Sequence, residues 1–246
     1  MNARPSFHDP LPFCEIGVRT NFSFLEGASH PEEMVAQAAL LKLSGFGIAD
    51  RNSVAGVVKA HAHTKLLQAK YDDVIKENLV LRAQGKPAEP FLKPVRFQPG
   101  ARLVFSDGTP DILAYPQNRK GWAHLCRLLS AGNLRGEKGV CILHESDLVE
   151  WGDEMMLALI PDAESVEMPE GQVRLEECLK RLWMRFGRKL HMVLSPAYDG
   201  RDRMVFATLS IIAQRNGHLP ISSFRSASTC RSLKPASDWR PMPNAI

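Results

Sequence analysis

Apolar residues along this chain fall into two arrangements. Short, mostly apolar runs at 13–18, 46–49, 101–105, 111–115, 155–160 and 190–194 read as strands. The run at 155–160 is nearly continuous, as in a strand buried on both faces. Between the runs, apolar positions recur every third or fourth residue. Met34, Val35, Ala38, Ala39 and Leu41 predict one helix, and Val57 and Val58 open another over 54–68. Trp122, Leu125, Cys126, Leu128 and Leu129 predict a helix over 119–131, followed by a short charged loop at 135–139. A small helix starts at Ser146, and two longer ones occupy 171–186 and 201–216, with Gly217 as a stop. A further strand opens at 219–221.

Local signals place the junctions. Ser29 and Glu32 have capping-box spacing, Gly45 is the expected end of the first helix, and Asn52 or Ser53 is placed to cap the second. Ser-Asp-Gly-Thr-Pro at 106–110 joins the strands at 101–105 and 111–115 as a hairpin. Residues 69–99 read as an insertion. Its first part, 70–84, is charged and helix-prone; 85–99 carries Pro87, Pro90, Pro94 and Pro99 and reads as an irregular loop. Alternating strands and helices argue for an α/β fold with a parallel or mixed sheet. Periodicity does not separate an open sheet from a barrel.

Composition narrows the class. The chain has 246 residues, enough for one α/β barrel or two small domains. It has no apolar run of about 18 residues, so no membrane span is expected. Nothing at the start resembles a signal peptide. Cys14, Cys126, Cys141, Cys178 and Cys230 are scattered and odd in number, which favours reduced thiols. The net charge of +4 is uneven: Arg225, Arg231, Lys234 and Arg240 stand against Asp238 in 222–246, a net of +3, leaving +1 for the rest. Charge therefore does not mark a nucleic-acid surface. In the same 222–246 segment the apolar periodicity stops, so we expect an irregular, disordered tail, with 1–12 as an N-terminal arm.

Asn-Phe-Ser-Phe-Leu-Glu-Gly-Ala-Ser at 21–29 and Ile-Ala-Asp-Arg-Asn-Ser-Val-Ala-Gly-Val-Val at 48–58 resemble the first two motifs of a PHP (polymerase and histidinol phosphatase) domain. The resemblance is strongest to the N-terminal domain of bacterial error-prone DNA polymerases of the C family. Gly-Ala-Arg-Leu-Val at 100–104, Asp-Gly-Thr-Pro-Asp-Ile-Leu-Ala-Tyr-Pro at 107–116 and Leu-Cys-Arg-Leu-Leu-Ser at 125–130 extend it. It covers about 13–221 and implies a PHP-type distorted (β/α)7 barrel, related to the TIM barrel.

Active PHP domains hold zinc or manganese through His and carboxylate side chains at strand ends, and hydrolyse phosphoesters by polarising the phosphoryl group. Here the positions of the first motif's two histidines are Gly17 and Arg19. The histidine after Asp50 is replaced by Arg51, and the glutamate position of the next strand is Arg102. Only Asp50 keeps a ligand-type side chain. Guanidinium groups stay protonated and repel a dication. We therefore expect a vestigial site (Gly17, Arg19, Asp50, Arg51, Arg102) with no metal, no cofactor and no catalytic residue. Two uses of the arginines are open: an ion-pair cluster with Asp50, with Glu15 contributing if it points inward, or an anion site receiving phosphate. His61 and His63 are a possible metal pair, but residues two apart on a helix diverge.

The resemblance implies a cytoplasmic parent enzyme that adds deoxynucleotides to a primer in damage-tolerant DNA synthesis and repair, using magnesium. The expected partners are the polymerase module of that parent, DNA only through it, and mutagenesis-complex proteins; no membrane is involved. The abrupt change at 222 suggests a truncated or frameshifted product. Against this scaffold reading stand an active metal-dependent PHP phosphoesterase and a stand-alone interaction module.

Overall fold

The computed structural model describes residues 13–162 and 166–216, and 221–223 as backbone. Nine strands are named among them. β1 (Cys14–Val18), β2 (Gly45–Ile48) and β4 (Arg96–Gln98) form one parallel sheet in the order β1-β2-β4. β3 (Asp50–Arg51), β5 (Ala101–Leu103), β6 (Ile112–Pro116), β7 (Met155–Leu159), β8 (Leu190–Leu194) and β9 (Ile221–Ser223) form a second, in that order. β6 runs antiparallel to both neighbours, so the sheet is mixed.

The chain passes directly from a strand of the first sheet into a strand of the second at two places, and returns to the first sheet between them through the helix that follows β3. β2 passes through Ala49 into β3, and β4 passes through Pro99–Gly100 into β5. Proline lacks the ladder N–H, which is a physical reason for the second break. Among the described residues six longer α-helices cover the sheets: α1 (Pro31–Leu40), α2 (Ala55–Ala83), α3 (Arg119–Arg135), α4 (Glu145–Trp151), α5 (Pro169–Phe186) and α6 (Asp202–Arg215).

Strand alternation divides the core. Ile112 and Ala114 face outward into the large cluster made with α3, α5 and α6. Val18, Phe46 and Ile48 meet α1 and α2 in a second cluster. Leu113 and Tyr115 face inward and join Cys14, Ile16, Ala49, Ala158 and Val193. Both sheets thus share one apolar cluster within a mixed α/β fold; closure into a (β/α)7 ring is not seen among the described strands.

Several junctions differ from the sequence expectation. The N-cap of α1 is His30, whose N–H donates to Glu33 Oε2 at 2.8 Å, so the box is one residue later than Ser29 and Glu32. Gly45 starts β2 rather than ending α1. The helix ends in a Schellman turn: Leu43 N–H reaches Ala38 O at 3.0 Å, Lys42 N–H reaches Ala39 O at 3.0 Å, and Lys42 takes the left-handed φ of 54°. The helix over 54–68 and the charged segment 70–84 are one helix, α2. Its half-exposed stripe Thr64, Leu67, Tyr71, Val74, Asn78 and Leu81 continues at helical spacing beyond Gln68. The returning segment covers it, with Asn78 bonded through its side chain to both the N–H and the C=O of Glu89. β4 lies in what the prolines presented as loop. Residue 135 belongs to α3 rather than to the charged loop. The last strand is Ile221–Ser223, shifted from 219–221 and two residues into the expected tail; the arm 1–12, Gly217 and 224–246 lie outside the described residues.

Candidate functional site

The loop from Arg19 to His30 leaves the C-terminal end of β1 and folds over β3 and β5. Two backbone turns shape it: Ser23 N–H to Thr20 O, then Glu26 N–H and Gly27 N–H to Ser23 O, all 2.9–3.0 Å. A Cβ on Gly27 would stand 2.3 Å from Thr20 O, so the close pass admits only glycine.

Beneath the loop lies Asp50, fully buried. Its Oδ1 accepts from Thr20 N–H and Ser23 Oγ–H, both at 2.7 Å, and its Oδ2 from Thr20 Oγ1–H at 2.8 Å. Ser23 Oγ in turn accepts from Arg51 N–H, and Thr20 Oγ1 from Phe22 N–H. Three neutral donors therefore solvate a buried carboxylate. The expected pairing of the arginines with Asp50 is not formed. Arg51 neighbours Asp50 in a strand, so its side chain leaves from the opposite face. Glu15 points outward and takes no part.

The arginines meet Glu26 instead. Its Oε2 lies 2.9 Å from Arg19 Nη1 and 3.1 Å from Arg102 Nη1, and its Oε1 3.3 Å from Arg51 Nη1. Arg102 is also held by Asp111, through Nε at 2.7 Å and Nη2 at 2.5 Å. The structure thus gathers Arg19, Arg51 and Arg102 from three elements onto two carboxylates. Sequence reasoning missed both acids. Glu26 stood inside the first motif, next to the loop's Gly27, and Asp111 at the start of the expected strand 111–115; either position could have been asked which cation it faces.

Gly17 is used differently. It sits at a bulge of β1 with φ of 82°, and its N–H donates to the Tyr115 hydroxyl at 2.7 Å. Burial pushes the Tyr115 phenol upward, keeping it protonated. The ring lies against Gly100, where a Cβ would come within 2.4 Å of Cδ1, and against Gly47. A bulky side chain at position 17 would need a left-handed backbone.

Asn52, expected as a cap, extends the sheet. Its side chain bonds both N–H and C=O of Val104, and Ser53 Oγ accepts from Ala55 N–H near the start of α2. Arg102 and Asp111 also border a cleft of about 860 Å³ toward α4 and α5, where Arg181 forks onto Glu145 at 2.8 and 3.0 Å. Cys178 in that cleft has its thiol pushed up to about 11 by burial, so it is a poor nucleophile. His61 faces Phe97 with ring centroids 6.5 Å apart. Among the described residues no group of three or more His, Cys, Asp or Glu side chains is placed to hold a metal ion.

A family model described as the PHP domain matches residues 15–166. The chain belongs to the PHP domain family. It is 52% identical over 205 residues to error-prone DNA polymerase 1 of Rhizobium meliloti, covering 83% of this chain and 16% of that protein. It is 47% identical over 234 residues to the error-prone DNA polymerase of Sinorhizobium medicae, covering 95% and 18%. The chain thus spans about a sixth of the length of these relatives. A solved structure from Bifidobacterium adolescentis, named as a metal-dependent phosphoesterase, superposes with a TM-score of 0.52 at 14% identity, covering 95% of this chain and 98% of that one. That likeness is one of fold.

The zinc or manganese that PHP domains hold does not fit the residues present. Position 17 has no side chain, and 19, 51 and 102 carry guanidinium groups already bonded to carboxylates. Both Asp50 oxygens are turned onto Thr20 and Ser23. No described helix is long and apolar enough to cross a membrane.

Proposed function

We propose that this PHP domain is a non-catalytic scaffold of an error-prone DNA polymerase, metal-free and closed as a distorted (β/α)7 barrel. The observation that carries the reading is the Glu26 hub. Where the family places ligands around metal, three arginines from β1's exit, β3 and β5 close on one carboxylate. Ion pairs then tie the strand ends together, the mechanical part of a metal's role without its Lewis acidity. In the longer relatives such a domain would brace the polymerase portion during damage-tolerant DNA synthesis. Its contact with DNA would be indirect, through that portion, in the cytoplasm, with mutagenesis-complex proteins as further partners.

The test is metal content by mass spectrometry after dialysis against manganese and zinc, with phosphate release from a model phosphoester measured alongside. The scaffold reading expects no retained metal and no release. Stoichiometric metal that is lost with Asp50→Ala would replace it by a metal-dependent phosphoesterase.

A further inference from the structure

The loop that carries Glu26 also carries three apolar side chains at its surface, of which Phe22 leans on α2 at Gly56 while Phe24 and Leu25 project outward. Phe24 is 84% exposed, Leu25 88% and Phe22 37%, within four residues. The tip is not loose. Asn21 N–H bonds to Ser29 O at 2.9 Å across its base, the two turns close it from within, and Ser23 and Glu26 are tied to Asp50 and the arginines. Leu25 is held at a φ of 61°, a conformation unfavourable for a residue of its kind. A rigid loop that presents Phe and Leu outward is costly in water and suited to insertion into a pocket.

Cations surround the tip. Arg19 and Arg51 each contribute a single Nη1 contact to Glu26, leaving further N–H donors turned to solvent, and Lys59 Nζ stands 5.7 Å from the Phe22 ring centroid. Apolar centre and cationic rim together match a pocket of apolar side chains edged by carboxylates. Nucleic acid is a poorer match, because Leu25, the most exposed side chain of the tip, offers no face on which a base could stack.

We infer that Phe22, Phe24 and Leu25, flanked by Arg19 and Arg51, form the knob by which this domain docks on the polymerase portion of an error-prone DNA polymerase. The inference rests on the scaffold reading above. The relatives supply the occupant: some five-sixths of their length lies outside the region that matches this chain.

The full 246-residue chain is titrated against the remainder of the Rhizobium meliloti polymerase, with binding read by fluorescence anisotropy. Phe24→Ser with Leu25→Asn is expected to weaken binding on the order of 100-fold, as loss of two buried apolar side chains implies. It should leave the free chain's own melting unchanged, since both side chains are solvent-exposed there. Leu134→Ser and Met184→Ser, at 87% and 80% exposed positions away from the loop, should bind as wild type. Wild-type affinity in the double variant overturns the knob alone. No binding by the wild-type chain, together with no gain in its melting temperature when it replaces the matched segment of that polymerase, overturns the scaffold reading itself. Should the isolated remainder not fold, the same variants in that replacement protein decide, through a lowered melting temperature of the docked domain. Dimerisation of the wild-type chain that the double variant abolishes would assign the patch to a second copy and overturn the inference.

Discussion

Replacing Asp50 separates a structural carboxylate from a metal ligand by the sign of its effect. Asp50 accepts three hydrogen bonds and has no cationic partner in contact. Asn keeps the shape but removes the charge. Hydrogen bonds to charged groups are about twice as strong as neutral ones. Three such bonds therefore lose roughly 3 kcal/mol, and relief of carboxylate desolvation returns part of it. One amide N–H also faces Thr20 Oγ1, whose own proton is left without its acceptor. We expect Asp50→Asn to cost about 2 kcal/mol. Asp50→Ala strands three buried donors and leaves a void, for about 4 kcal/mol. Urea denaturation of the metal-free chain, followed by circular dichroism at neutral pH, measures both. In an empty metal site, carboxylates repel one another, and removing one stabilises the metal-free protein. Neutral or increased stability in Asp50→Asn would refute the account of Asp50 as a satisfied structural acid.

Other substitutions probe the surrounding parts. Tyr115→Phe removes the acceptor of Gly17 N–H inside the core and should cost about 1–3 kcal/mol by urea denaturation, with the fold retained. Arg102→Ala should destabilise by about 2 kcal/mol and Arg51→Ala by less than about 0.5 kcal/mol, because the first side chain is 19% exposed and doubly paired and the second is 54% exposed. Lys42→Gly should stabilise by up to about 1 kcal/mol, since glycine takes the left-handed turn position after α1 without steric cost. The Asp147 carboxyl is held below its ordinary value of 3.8 by Arg135, which forks onto it at 2.5 Å, and by His144 N–H. A depressed folded value contributes stability that is present above the unfolded value and lost as pH falls through the folded one. The urea midpoint should fall on acidification below about pH 4, and Asp147→Asn should flatten that fall.

The legible part of the fold was the part written in local periodicity. The strand at 190–194 and the helices near 119–131, 171–186 and 201–216 appear within a few residues of their expected ends, because each carries its own apolar face. What escaped depended on distant contacts. β4 carries Phe97 in a stretch that also holds Pro94 and Pro99, and its strand character comes from pairing with β2. Lys42 sits in a conformation that the sequence assigned to Gly45, because the spacing of the turn, not the nearest glycine, sets the helix end. α2 runs on past its apolar face because the returning segment 84–95 supplies a second surface for Tyr71 and Asn78.

Sequence alone determined which side chains stand at the strand ends: a glycine at 17, arginines at 19, 51 and 102, and one aspartate at 50. It also determined that a dication would meet guanidinium groups there, since residue type sets charge. It did not determine whom those groups touch. Asp50 and Arg51 are adjacent along the chain, yet strand alternation turns Arg51 away and Thr20 and Ser23 close over the carboxylate. Glu26 and Asp111 reach the arginines because the β1–α1 loop folds back over β3 and β5, and because β6 starts beside the end of β5. Ion pairs are fixed by positions in space within about 4 Å, and only the packed sheets bring residues separated by up to 76 positions to that distance.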